Sequence, residues 1–221
     1  MDFLNLIIIN LFGHITTYNV ALFYLINNGM DNRTFDLLMP FITNFGSIVA
    51  WGLICVLLFI FGGENAKKIA ILGLLALFIS NGIAYILKPL IAEPRPFLAL
   101  SNVDLLTPES EIYSFPSGHT TSSFAVATVI GLKYSFMLKD KKYRLIYPLI
   151  AFAALIGFSR VYIGVHYPLD VVFGAIIGTI CALLVLKLEN KIFLNKITNF
   201  IGLDKVLTIN FTTKFKDIIK G

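Results

Sequence analysis

The stretch Ser159 to Asp170, reading SRVYIGVHYPLD, sets an arginine, a histidine and an aspartate at the junction of two apolar runs, Leu145 to Phe158 and Val171 to Leu186. All three side chains are costly to bury in hydrocarbon, so at such a junction they point to a site. Gly164 lets the chain turn and Pro168 suits the first turn of a helix, which puts His166 just before that helix and Asp170 just inside it. A carboxylate one turn away can accept the imidazole Nδ1 proton and leave Nε2 free as a nucleophile or base. Two other stretches carry residues of the same kind. Lys88 and Arg95 stand in KPLIAEPRP, and Ser117, Gly118 and His119 stand in PSGH, ahead of a helix rich in small residues. If the three stretches meet, three permanent cations (Lys88, Arg95 and Arg160) surround one point and demand an anion. Arginine forks match phosphate oxygens bidentately, lysine adds a point charge, and the N–H groups of Ser117 and Gly118 before a helix N-terminus form an anion-binding nest. Each element alone has an ordinary explanation. Lys88 or Arg160 can snorkel, PSGH can be a helix cap, and a lone histidine is more often structural than catalytic. Their placement on one side of the molecule decides between the readings.

The elements that would position these residues follow from composition. The 221 residues are 57% hydrophobic and 14% charged, too apolar for an ordinary soluble domain. An all-α, polytopic transmembrane bundle of five spans is expected, at roughly 20 apolar residues each. The spans fall at about Leu37 to Phe61, Ile69 to Leu87, His119 to Leu138, Leu145 to Phe158 and Leu169 to Leu186. Residues 3 to 28 are apolar but interrupted by His14, Thr16, Thr17, Asn19 and Asn27, which leaves a sixth span, an interfacial helix or a re-entrant one open. They lack the basic region and cleavage site of a secretory signal, so they are kept in the mature chain. Gly46 and Ser47 are expected inside the first span, and Pro89 and Pro94 are expected to stop the second near Lys88. A loop of about thirty residues then precedes PSGH, long enough to be functional or disordered. KDKKYR, residues 139 to 144, reads as a turn. Residues 1–187 form the membrane domain, and 188–221, alternating lysines with Ile and Phe, form a basic interfacial tail. Cys55 and Cys181 lie within apolar runs and read as small buried hydrophobes.

Sidedness comes from the basic residues. Fourteen of the eighteen, including seven lysines after Leu186, lie at one set of span ends, which makes that side cytoplasmic. Arg33, Lys88, Arg95 and Arg160 fall on the other side with Glu93, Asp104, Glu109 and Glu111, so all three charged stretches share the outer end of the bundle. The net charge of +5 describes a cytoplasmic face near anionic lipid and calls for no nucleic-acid partner.

Lys88 with Arg95-Pro96, Pro116-Ser117-Gly118-His119, and Ser159-Arg160 with His166 and Asp170 resemble the three signature motifs of the type 2 phosphatidic acid phosphatases, the membrane relatives of the vanadium haloperoxidases. All three are complete, and the resemblance covers roughly Asp36 to Lys187. It implies that His166 attacks phosphorus to form a phosphohistidine, that Asp170 orients it, and that His119 protonates the leaving oxygen and then activates water. It also implies that Lys88, Arg95, Arg160, Ser117 and the Gly118 amide hold the phosphoryl oxygens. Fixed cations then do the work that Mg²⁺ does in many phosphotransferases. No metal or other cofactor is expected, and no carboxylate cluster in the sequence would hold one.

The expected function is a membrane lipid phosphatase at the outer face of the cell membrane, with an isoprenoid diphosphate of the undecaprenyl type as the preferred substrate. A phosphatidic acid or phosphatidylglycerol phosphate phosphatase is the nearest alternative, followed by a phosphotransferase that passes the phosphoryl group to another lipid. A non-catalytic binder or transporter of phospholipid fits less well, because binding alone has no use for a histidine nucleophile with its own carboxylate.

Overall fold

The computed structural model describes residues 3–138 and 141–189, and side chains at 13–135 and 143–189. The basic tail expected from residue 188 onward therefore lies, after Glu189, outside the described residues. The chain is mostly helical, in the order α1 (Phe3–Asn27), α2 (Arg33–Asn44), α3 (Ile48–Phe61), α4 (Glu64–Ile91), the single turn α5 (Pro96–Ala99), α6 (Gly118–Lys133), α7 (Ile146–Tyr162) and α8 (Pro168–Lys187). Two short antiparallel strands, β1 (Ser135–Leu138) and β2 (Lys141–Arg144), join α6 to α7 and pair Ser135 with Arg144.

Helix α6 is the axis of the molecule, touched by α3, α4, α7 and α8. Its sequence explains why. Thr120 to Ser123 and Ala125 to Ala127 are all small or β-branched and all buried, and small residues let neighbouring backbones approach where lipid supplies no hydrophobic drive between helices. The closest approach is that of α8. A Cβ at Gly174 would sit 2.8 Å from the Ser117 carbonyl, and one at Gly178 would collide with the Thr121 carbonyl. Near its N-terminal end the hydroxyls of α6 are paired in this dry setting. Ser122 Oγ donates to the Gly118 carbonyl at 2.9 Å, Ser123 Oγ to that of His119 at 2.7 Å, and Trp51 Nε1 donates to Ser123 Oγ at 2.9 Å. Below this layer Trp51, Cys55, Leu72, Leu77, Val126, Val129, Ile156 and Val185 close an apolar core. The outer faces of α3, α4 and α8 expose Val49, Leu53, Phe78, Ile86, Leu183 and Leu184, a surface that suits lipid.

Among the described residues two helices, α4 and α8, are long and apolar enough to cross a membrane, and the bent pair of α2 and α3 makes a third if it is one span. Helix α7 is apolar but 17 residues long.

Several sequence expectations need correction. The span expected to run unbroken from Leu37 to Phe61 is two helices meeting at 56°. Phe45 to Ser47 break it because Gly46 lies against His119 and Ile156, where a Cβ would come within 2.5 Å of Ile156 Cγ2, and because Ser47 Oγ accepts the Ala50 N–H and restarts the helix as its N-cap. Pro89 does not end α4. The helix carries through it to Ile91, losing one hydrogen bond in its last turn, and closes at Ala92 in the left-handed region with φ 52°. The span expected to reach Leu138 stops at Lys133, and residues 141–144 of the segment read as a turn form β2, so among the described residues the mostly helical expectation is interrupted by this strand pair. Helix α7 continues past Phe158 to Tyr162. The N-terminal segment, left open between three readings, is one continuous helix against α7 and α8.

Residues 92 to 117, the expected long loop, form a strap over one end of the bundle. Pro94 bridges Tyr113, Ser114 N–H donates to the Glu93 carbonyl at 2.8 Å, and Arg95 N–H donates to the Ile112 carbonyl at 3.2 Å, so the strap returns antiparallel to its own start. Asn27 fixes its middle, exchanging two 2.9 Å hydrogen bonds with the Asp104 backbone. The strap thereby ties the end of α1 to the site.

Candidate active site

Each charged stretch is brought to this end by a different local device. Lys88 lies in the last turn of α4. Its Nζ donates to the Tyr113 carbonyl at 3.0 Å and pairs with Glu111 at 2.8 Å. Arg95 caps the single turn that Pro96 opens, and its guanidinium is 1% exposed. Ser117 caps α6, its Oγ accepting from Thr120 N–H at 3.4 Å, while its own N–H donates to the Asp170 carbonyl at 3.1 Å. Arg160 comes from the last turn of α7, and Gly164, at φ 85°, turns the chain so that His166 faces back. A Cβ at Gly164 would meet the Asp104 carbonyl at 2.7 Å, so both the conformation and the space there require glycine. Asp170 sits in the first turn of α8, where its Oδ2 accepts the Tyr167 N–H at 2.8 Å.

These devices enclose a cavity of about 310 Å³ lined by Lys88, Arg95, Gly118, His119, Arg160 and His166, together with Ile48, Asn81, Ala84, Tyr85, Glu109 and Glu111. Six of the eight residues singled out from the sequence thus face one space. Asp170 stands behind His166, with Oδ2 3.2 Å from Nδ1. Ser117 also stands back from the cavity, its side chain engaged at the start of α6.

The His166 tautomer follows from its neighbours. Arg95 Nη1 lies 3.2 Å from Nε2, and a guanidinium has donors only, so Nε2 is the acceptor and Nδ1 carries the hydrogen toward Asp170. Burial, followed by the charges of Arg160, Arg95 and Lys88, holds His166 well below its ordinary pKa and keeps the imidazole neutral. A neutral ring with its lone pair turned toward a cation-lined cavity is the form a nucleophile needs.

Sequence reasoning missed four contributors. Ser114 Oγ donates to Asp170 Oδ2 and lies 3.3 Å from His166 Nδ1; only its nearness to PSGH hinted at this. Thr43, beside the break between α2 and α3, accepts from Arg160 Nη1 at 3.0 Å. The other two are Glu109 and Glu111, recognised only as acids of an outer loop. Glu109 pairs with Arg160 at 3.0 Å and Arg95 at 3.5 Å, and Glu111 with Lys88 at 2.8 Å and Arg95 at 2.9 Å. Burial works against the charge of both glutamates, but Arg95 and Arg160 outweigh it at Glu109, and Lys88 and Arg95 at Glu111. Both stay below the usual carboxylate range and are ionised. Among the described residues, no group of His, Cys, Asp and Glu side chains is arranged to hold a metal ion.

The pattern that defines the PAP2 superfamily matches residues 69–193, which span every charged segment of this cavity. The chain is 32% identical over 163 residues to the undecaprenyl-diphosphatase BcrC of Bacillus subtilis, covering 72% of this chain and 77% of that one. It is 33% identical over 173 residues to an undecaprenyl-diphosphatase of Sulfolobus acidocaldarius, covering 78% and 79%. The crystal structure of Aquifex aeolicus LpxE superimposes with a TM-score of 0.66 at 36% identity, covering 77% of this chain and 95% of that one. A family match over more than half the chain, two relatives above 30% identity along most of their length and a shared fold agree: the chain belongs to the PAP2 superfamily, as a lipid phosphatase of that type.

Proposed function

We propose that the chain hydrolyses the diphosphate of a long isoprenoid lipid of the undecaprenyl type, releasing phosphate through a phosphohistidine on His166 at the outer face of the cell membrane. The observation that carries this reading is the pairing of His166 Nδ1 with Asp170 while Nε2 faces Lys88, Arg95 and Arg160 across one cavity. Two relatives bearing the name undecaprenyl-diphosphatase support the choice of substrate. Five spans, formed by the α2–α3 pair, α4, α6, α7 and α8 within a domain of residues 1–187, hold the site at one end.

In the first step a phosphoryl oxygen takes the Arg95 N–H that caps Nε2, and the freed lone pair attacks the terminal phosphorus. The N–P bond forms as the bond to the bridging oxygen breaks. His119, opposite in the cavity, gives its proton to the departing lipid monophosphate. Asp170 stabilises the positive charge that grows on the ring, and the three cations with the Gly118 amide hold the equatorial oxygens. In the second step water gives a proton to His119 and attacks phosphorus, and the N–P bond breaks to release phosphate and neutral His166. A groove of about 400 Å³ lined by Tyr85, Pro89, Ile112 and Tyr113 continues outward from Lys88 and Glu111 and would take the start of the lipid tail.

The reading is tested with purified protein in detergent, without added metal, on undecaprenyl diphosphate, phosphatidic acid and phosphatidylglycerol phosphate, with and without acceptor lipids. Phosphate release should be fastest from the isoprenoid diphosphate and independent of acceptor. Faster release from a glycerophospholipid would change the substrate, and lipid binding without release would make the protein a binder. Activity should survive EDTA and be inhibited by vanadate, an oxyanion able to become five-coordinate among Lys88, Arg95 and Arg160. Loss in EDTA restored by Mg²⁺ would replace the fixed-cation mechanism.

Orientation has its own test. With Cys55 and Cys181 replaced, an impermeant thiol reagent on intact cells should label Ser101→Cys in the strap and spare Asn65→Cys in the first turn of α4. Both positions are exposed and lie at opposite ends of the bundle. The reverse pattern would move the reaction to the cytoplasm.

A further inference from the structure

Asp170 is fully buried, and its two oxygens are treated differently. Oδ2 receives the Tyr167 N–H, the Ser114 hydroxyl and His166 Nδ1–H, while Oδ1 meets no N–H or hydroxyl donor. A buried carboxylate oxygen without a donor is costly enough that a native site rarely keeps one. A second acid stands beside Asp170: Ser114, whose Oγ bonds Asp170, also bonds the Glu93 carbonyl through its N–H, and the half-buried Glu93 carboxyl interacts with that of Asp170. Two carboxyl groups bond only when one of them carries a proton, as in acid dyads. Three donors converge on Oδ2 and favour the ionised form of Asp170, and a proton carried by Glu93 keeps it in that form. The backbone holds Glu93 in place for this, between the left-handed Ala92 and Pro94, with its carbonyl accepting from Ser114 N–H. Burial raises its pKa above the ordinary carboxyl value.

We propose that Glu93 is a positioning residue: in its protonated form it donates to Asp170 Oδ1, fills the last acceptor of that carboxylate and locks it as the partner of His166 Nδ1–H. The titratable groups that face Glu93 are Asp170 from α8 and Tyr167 from the segment before it. The pair then carries a single negative charge, matched to the single positive charge that phosphoryl transfer places on the imidazole. A second charge on the pair would draw the His166 proton too strongly and repel the incoming phosphate.

The inference rests on the role proposed for His166, so His166→Ala is measured beside Glu93→Gln and Glu93→Ala, with undecaprenyl diphosphate as probe and size-exclusion profiles in detergent as the folding control. Glu93→Gln keeps a donor that cannot ionise, and should retain most of the wild-type kcat. It should also abolish the fall in kcat that the wild type shows as rising pH ionises Glu93. Glu93→Ala should lower kcat about ten- to a hundredfold with KM changed less than about threefold, since substrate contacts are intact. A Gln variant as impaired as the Ala variant, or superimposable pH profiles for wild type and Gln, would overturn the role of Glu93. So would an Ala variant with unchanged kcat. Should Glu93→Ala not fold, the wild-type and Gln profiles decide alone. If His166→Ala still turns over, it is the nucleophile assignment that fails, a result distinct from all of these.

Discussion

His166→Ala should lose turnover by roughly 10⁴- to 10⁶-fold and form no covalent phosphoenzyme, whereas His119→Ala should lose roughly 10²- to 10⁴-fold and accumulate one. The asymmetry comes from what stands behind each ring. His166 has Asp170 3.2 Å from its Nδ1, with Ser114 beside both, the arrangement that the nucleophile role proposed for its other nitrogen requires. His119 reaches the same cavity from the first turn of α6, with no ion pair to a carboxylate among the described residues, which suits a group that passes protons. An aryl phosphate with a good leaving group needs no acid, so it should still phosphorylate His166 in the His119 variant and then stall for want of a base to activate water. Rapid quench with labelled ester, followed by an acid-lability test, reads this directly. Label on His166→Ala but not on His119→Ala would exchange the two roles, and label on neither variant nor the wild type would favour direct attack by water.

Arg95→Lys should lower kcat/KM by about 10²- to 10³-fold although the charge is kept. The guanidinium uses its planar fork completely: Nε donates to the Glu111 carbonyl at 2.8 Å, Nη1 to the Val165 carbonyl at 2.9 Å and toward His166 Nε2, and Nη2 to the Glu111 carboxylate. An ammonium on a flexible stem cannot span the strap, the turn before α8 and the cavity at once. Lys88→Arg is the control, because Lys88 acts as a point charge at the cavity edge with its side chain 15% exposed, and it should stay within about tenfold of wild type. Steady-state kinetics on undecaprenyl diphosphate check both. An Arg95→Lys enzyme within about threefold of wild type would show that net charge alone is what the cavity requires.

The charged stretches were legible in the sequence because ionisable residues beside long apolar runs have few places to go, and Lys88, Arg95, His119, Arg160 and His166 do line one cavity. The break between α2 and α3 was not legible. Gly46 and Ser47 are tolerated inside a helix, and only the approach of Ile156 and His119 from other helices makes them a corner. Pro89 misled in the opposite direction, since one missing hydrogen bond in a final turn is a small cost to a helix of 28 residues. Glu109 and Glu111 were visible as charges but not as partners, because strap residues 92 to 117 have no periodicity from which their course could be derived. Their positions depend on contacts with Asn27, Ile163 and the strap's own beginning.

Those two glutamates change what it means for phosphate to enter. Lys88, Arg95 and Arg160 bring three positive charges and Glu109 and Glu111 two negative ones, so the arrangement described carries a surplus of about one charge, not three. Entry of a phosphate is therefore an ion exchange within a desolvated space: every contact it gains on a cation is set against a carboxylate contact given up, and the cost of burying the cations has already been met on folding. Small anions that cannot outbid two carboxylates gain little there. On the substrate proposed, a diphosphate held by its lipid next to the cavity would have the advantage in that competition over free inorganic phosphate.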